Sequence, residues 1–143
     1  MEPPAVVHYA WRGDVHGDEL VALTLAHGGA GKAGWWDRIR PHSLGWVTAR
    51  SDDGALVGFV NLAWDGADHA FLLDPKVRPD LRRRGVGTEL VSIAAGCAKD
   101  VGCEWLHVDF EESLASFYYD ACGFAPTRAG LIRLSEPGRV QGR

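Results

Sequence analysis

Arg82-Arg83-Arg84-Gly85-Val86-Gly87 stands between an apolar run, Ala70-Phe71-Leu72-Leu73, and a segment of helical pattern from Thr88 to Lys99. Two glycines let the backbone turn with no side chain in the way. Successive amide N–H groups can then converge on one anion, and the helix that follows adds its positive N-terminal end. Arginines just before the turn bring mobile charge to further phosphates. The stretch predicts a pyrophosphate-holding turn between a strand and a helix.

The flanks give the rest of the fold. Downstream, Leu90, Val91, Ala94, Ala95 and Ala98 form an apolar stripe at helical spacing, and Gly102 ends the helix. Residues 105–110 read as a strand. Residues 114–122 read as a second amphipathic helix closed by Gly123, with Glu112 and Ser113 as its caps. Residues 130–134 read as a last short strand, and a frayed tail is expected from about Pro137. Upstream, 6–11 is a strand and 17–26 a helix, broken by Gly28-Gly29-Ala30-Gly31. A second short helix spans 35–39 and stops at Pro41. Strands at 45–50 and 56–64 flank Asp53-Gly54, a strong hairpin signal, and another strand covers 69–77. This order predicts an α/β fold with a mixed, mostly antiparallel sheet and helices on both faces, in one domain over 1–143. The strand–helix–strand unit around the glycine turn should be a right-handed parallel crossover.

Bulk properties narrow the function. The 143 residues are 46% hydrophobic and 24% charged, normal for a soluble globular protein. A net charge of −4 argues against a general nucleic-acid binder. Yet Lys76, Arg78, Arg82, Arg83 and Arg84 cluster, which suits a small polyanion. Cys97, Cys103 and Cys122 fit neither a disulfide framework nor a zinc site, so reduced thiols and no metal are expected. No leader pattern and no run near the ~18 apolar residues of a membrane span is present, which points to a cytoplasmic protein without a membrane partner.

Three phosphate-binding templates compete for the turn. A Walker loop needs Lys then Ser or Thr after its last glycine, but Gly87 is followed by Thr88 and Glu89. A dinucleotide fingerprint needs a third glycine where Leu90 stands, and no acid ends a strand at the required distance. The third template fits. Val77-x-Pro79-x-x-Arg82-x-x-Gly85-x-Gly87 resembles motif A of the GCN5-related N-acetyltransferases, an acetyl-CoA-dependent superfamily. Ala115-x-x-x-Tyr119-x-x-x-Gly123-Phe124 resembles the family's motif B. The resemblance is specific over about residues 69–125.

The resemblance implies an acyl-CoA N-acyltransferase fold, in which two parallel strands, here ending at Val77 and spanning 105–110, splay to admit the pantetheine arm. It assigns acetyl-CoA to Val77, Arg82, Arg83, Arg84, Gly85, Val86, Gly87 and Thr88. It also implies direct transfer of an acetyl group to a primary amine of a small molecule or peptide. An alkyl amine has a pKa near ~10.4, so a base must take a proton before attack. Tyr119, at the family's usual tyrosine, is the expected general acid to the departing thiolate.

The base is open. Many family members carry a glutamate six positions before the motif valine, where this chain has Phe71. Asp74 and His69 on that strand, and His107 or Asp109 on the next, are substitutes. Strand alternation groups Trp105, His107 and Asp109 on one face. Trp11, Trp46, Trp64 and Trp105 are expected in the core. Trp35, Trp36 and Tyr118 are candidate acceptor-site walls, although Tyr118 would also suit packing. Acids near the transfer point favour a cationic amine. Two rivals stand beside the transferase: a non-catalytic acyl-CoA sensor, consistent with Phe71, and a regulatory module that binds ATP or NAD. Oligomeric state is open, with a homodimer among the options.

Overall fold

A computed structural model of the chain describes residues 6–135, and the expected frayed tail lies outside the described residues. The chain divides into two compact units, Met1–Val108 and Asp109–Arg143.

In the first unit, β1 (Val7–Trp11) leads to α1 (Gly17–His27) and α2 (Trp35–Ile39). Then come β2 (Ser43–Ser51), β3 (Leu56–Trp64), β4 (His69–Val77), α3 (Val86–Asp100) and β5 (Trp105–His107). The strands lie in the order β1-β2-β3-β4-β5. β1 to β4 are antiparallel neighbours, while β5 runs parallel to β4. The mixed sheet and the α3 crossover are thus as expected.

Local chemistry explains the elements. Asp53 accepts bonds from the Ser51 hydroxyl and from the Ala55 N–H at 3.1 Å, closing the β2–β3 hairpin. Glu19 accepts the His16 N–H at 3.0 Å at the start of α1. The same carboxylate takes both Arg50 terminal nitrogens at 2.6 and 2.9 Å, fastening α1 to β2.

Helices cover the sheet on both faces. Leu20, Leu23, Trp36 and Leu56 pack with Phe59 on the α1–α2 face. Each such large apolar side chain contributes roughly 1.5–3 kcal/mol through burial. Gly58, the next residue along β3, faces α3. A Cβ there would meet Leu90 at 3.1 Å and Val86 at 3.2 Å, so α3 sits close on the sheet. Trp36 and Trp46 meet edge-on at 5.0 Å, as do Trp36 and Phe59 at 5.4 Å. Trp36 is therefore core, not an open wall. Trp64 and Trp105 are the reverse: expected inside, they are 36% and 58% exposed. They stand at the end of a hairpin strand and on an edge strand, where helices do not cover them.

One irregularity bears on the site. Asn61 pairs with Leu73 and Phe59 with Lys76, so Asp74 and Pro75 together oppose Val60. This is a β-bulge, and Asp74 adopts a left-handed φ of 58°.

β5 is shorter than the strand expected at 105–110. Its ladder with β4 has only the pairs His69–Trp105, Ala70–Leu106 and Phe71–His107. Farther along, β4 has the bulge and then Pro75, which lacks an N–H, so it offers no regular ladder.

The second unit departs more from expectation. The amphipathic α-helix predicted at 114–122 is a 3₁₀ turn, Glu112–Leu114, followed by a π turn, Phe117–Ala121. The Cys122 N–H reaches back to the Phe117 carbonyl at 3.0 Å. Glu112 and Ser113 do not cap; Glu111 holds that position, with no side-chain cap bond. Aromatic packing accounts for the wide turn. Tyr118 stacks on Phe110 at 4.6 Å, and Tyr119 meets the same ring edge-on at 5.2 Å. Adjacent residues on an α-helix diverge by about 100°, which makes that double contact hard to reach. Residues 130–134 do not form the expected strand. Leu131, Ile132 and Leu134 are 52–83% exposed, and a strand without a ladder partner leaves its backbone groups unpaired.

Candidate active site

The glycine turn separates β4 from α3 as the sequence suggested, but the helix starts earlier than expected, at Val86, so Gly87 is already helical. β4 ends at Val77, the Arg78 N–H bonds the Val57 carbonyl at 2.7 Å, and Pro79–Leu81 makes a 3₁₀ turn anchored by buried Leu81. Arg83 then takes φ 64° and Gly85 φ 81°. Gly85 is the N-cap of α3 and makes no side-chain cap bond. The first helical bond of α3 is from the Glu89 N–H to the Gly85 carbonyl at 3.0 Å. Hence the amide N–H groups of Arg83, Arg84, Gly85, Val86, Gly87 and Thr88 have no hydrogen-bond acceptor among the described residues. Left-handed residues alternating into a helix start turn such amides toward a common point. Arg82, Arg83 and Arg84 are exposed and enter no ion pair among the described residues.

Two members of the expected basic cluster drop out. Arg78 is held by Asp80 at 2.6 and 3.1 Å. Lys76 is 9% exposed and lies on the α1–α2 face of the sheet, opposite Phe59 in register.

Beside the turn, β4 runs on from Leu72 to Val77 with no strand among the described residues paired to it on the β5 side. The parallel pair therefore opens along β4 toward the glycine turn. His27 Nδ1 lies 3.3 Å from the Val77 carbonyl oxygen at that end.

The base candidates fall into three environments. His69 Nδ1 and His107 Nε2 lie 2.7 Å apart, and the His107 ring stacks on Phe71 at 4.7 Å and 15°. These two imidazoles occupy each other on an exposed stretch of sheet. Asp109 belongs to the second unit and is exposed. Asp74 is half-buried at the bulge, and burial raises its carboxyl above the ordinary 3.8, offset in part by the Lys76 ammonium. Bulged, left-handed, half-buried acids are placed to present a proton acceptor at a fixed angle.

Trp35 lies over Lys76, with Nζ 5.1 Å from the ring centroid, and the Lys76 Nζ donates to Thr24 Oγ1 at 2.8 Å. Sequence alone gave no hint of this Thr24–Trp35–Lys76 group, because it joins α1, α2 and β4. In the second unit, Tyr118 is 3% exposed among Phe110, Phe117 and Phe124, and burial pushes its phenol up to about 12. It packs. Tyr119 is 36% exposed. A separate apolar cleft of 260 Å³ lies between α1 and β3, floored by Ala22, Leu23, Ala26 and Leu56.

An open β4 edge thus leads into an amide-lined turn at a helix start. Residues 9–124 match the acetyltransferase (GNAT) family, and the chain belongs to that family. A 64-residue stretch, 45% of the chain, is 36% identical to mycothiol acetyltransferase of Mycolicibacterium vanbaalenii. The chain matches only 21% of that relative's length. Two solved structures show the same fold. The GNAT-family acetyltransferase SP0256 of Streptococcus pneumoniae has a TM-score of 0.76 at 24% identity, covering 90% of this chain and 98% of that one. The aminoglycoside N-acetyltransferase AAC(6')-Iy has a TM-score of 0.71 at 20% identity, covering 90% and 97%. It was solved with the bisubstrate analog CoA-S-monomethyl-acetylneamine and with CoA. Among the described residues, no helix is long and apolar enough to cross a membrane, and no group of three or more His, Cys, Asp or Glu is arranged to hold a metal ion.

Proposed function

We propose that this protein transfers an acetyl group from acetyl-CoA to a primary amine by direct attack within a ternary complex. The observation that carries this is the run of acceptor-free amides from Arg83 to Thr88 beside the open edge of β4. The amides and the start of α3 hold the pyrophosphate, favouring negative charge there by roughly 0.3–2 kcal/mol from the helix end alone. Arg82, Arg83 and Arg84 add screened charge. The pantetheine lies along β4 as an extra strand would. The bisubstrate analog CoA-S-monomethyl-acetylneamine, bound by AAC(6')-Iy, supports this choice of reactants. Because the family match spans both units, we take 1–143 as one domain.

In the reaction, Asp74 takes a proton from the acceptor ammonium. The amine nitrogen attacks the thioester carbonyl, a C–N bond forms, and the C–S bond breaks. Tyr119, assigned on the family motif, gives its proton to the leaving thiolate and regains one from the nitrogen as the amide forms, while Asp74 releases its proton to solvent. Products are the amide and CoA thiol. Asp74 is chosen over His69 and His107 because those rings hydrogen-bond each other, and because its bulge geometry fixes it.

Thiol release from acetyl-CoA across a panel of primary amines tests this reading. Turnover with at least one amine is the expected result; binding of ATP or NAD in place of acetyl-CoA would overturn it. One observation favours a second reading: Phe71 stands where the family's glutamate is common, as in a sensor without catalysis. Acetyl-CoA binding with no thiol release on any amine would support that reading instead.

A further inference from the structure

A lysine ammonium carries three N–H donors, and lysine is seldom buried without a counter-charge. Lys76 is nine-tenths buried. Its Nζ donates to Thr24 Oγ1 at 2.8 Å, and that hydroxyl gives its own proton to the Leu20 carbonyl at 2.7 Å. The Trp35 ring face, 5.1 Å away, supplies a cation–π contact. No carboxylate of a described residue lies within ion-pairing distance of Nζ. A neutral hydroxyl and a ring face are a thin shell for a buried cation. At least one N–H is left without an acceptor among the described residues.

The placement of this cation gives it a use. Pairing with Phe59 sets Lys76 on the α1–α2 face, and Asp74 stands in the bulge just before it, across rigid Pro75. Burial lowers the Lys76 ammonium and raises the Asp74 carboxyl, each opposed by the charge of the other. A positive and a negative group so spaced complement a molecule that carries an amine and an anion. We propose that Lys76, with Thr24 and Trp35, forms an anion subsite that selects acceptors bearing a carboxylate or phosphate on the same small molecule as the reacting amine. This rests on the acetyl-transfer reading.

Three acceptors of similar length test it: propylamine, β-alanine and O-phosphoethanolamine. In the unaltered protein, kcat/KM for one of the two anionic amines should exceed that for propylamine by about ten- to hundredfold, carried by KM. Whichever is favoured identifies carboxylate or phosphate as the anion. Lys76→Met should collapse that ratio, and Lys76→Arg should keep most of it. A ratio that survives Lys76→Met, or propylamine as the best acceptor, overturns the subsite. Binding of N-acetyl-β-alanine, N-acetyl-O-phosphoethanolamine and N-propylacetamide gives a readout that does not need turnover. If no amine releases thiol, yet an anionic acetyl compound binds better and loses that advantage in Lys76→Met, the subsite stands and the transfer reading falls. No binding advantage for either anion overturns the subsite itself.

Discussion

The glycine turn and the β4 bulge both interrupt regular structure with left-handed backbone, Arg83 and Gly85 in one, Asp74 in the other. Their chemistry is opposite. The turn offers backbone N–H groups, and its arginine side chains are left in solvent. The bulge offers side chains, half-buried or buried, whose titration burial has altered. In the proposed reaction, coenzyme recognition is assigned to backbone shape and acceptor chemistry to individual side chains. A change at one place should leave the function of the other intact.

The largest expected break is at the bulge. Asp74→Asn should lower kcat by about 10²–10⁴-fold, the usual range for losing a general base, with acetyl-CoA affinity held. Steady-state kinetics beside calorimetry separate the two. The same variant tests a sign. A carboxyl raised on folding favours the protonated form, so its contribution to stability is lost as pH rises through its folded pKa. Asp74→Asn should therefore raise Tm at neutral pH, and an unchanged or lower Tm would contradict the burial argument. The acid limb of the kcat profile should also lie above the ordinary 3.8 of aspartate.

Next comes the turn. Gly85→Glu puts a Cβ on a φ of 81° and a carboxylate among the acceptor-free amides proposed to hold the pyrophosphate. A left-handed non-glycine residue costs about 1–2 kcal/mol, and the charge adds repulsion, so affinity for acetyl-CoA should fall about 100-fold. Tyr119→Phe should reduce kcat by about tenfold or more without changing acetyl-CoA affinity; equal turnover would remove the phenol from its role. Arg82→Ala should weaken acetyl-CoA by only about three- to tenfold, and less at high salt, because an exposed arginine is screened.

The smallest effect sits away from both places. Arg50 holds the Glu19 carboxyl down to about 2 from an ordinary 4.5. That stability is present above the unfolded value and lost as pH falls from about 5 toward about 2. Glu19→Gln should flatten the acid side of a Tm-against-pH curve and leave acetyl-CoA binding alone.

The turn was legible because local rules made it: glycine, a helix start and a strand before it need no distant partner. β2 and β3 were legible too, since Asp53-Gly54 between two strand-like runs specifies a hairpin. The bulge was not. A one-residue slip between Phe59 and Asn61 depends on pairing across two strands, and neither Asp74 nor Pro75 announces it alone. Lys76 looked like part of a basic cluster because its burial under Trp35 comes from α2, some forty residues earlier. Trp64 and Trp105 were misjudged for a related reason: exposure is set by what covers a strand, not by its pattern. In the second unit, ring contacts to Phe110 override the helical spacing of Leu114–Cys122.

The most direct test is calorimetric titration of acetyl-CoA into the unaltered protein, Asp74→Asn and Gly85→Glu side by side. The account predicts matching affinities in the first two and loss of binding in the third. Equal weakening in Asp74→Asn and Gly85→Glu, or binding of ATP or NAD where acetyl-CoA gives no heat, would contradict it.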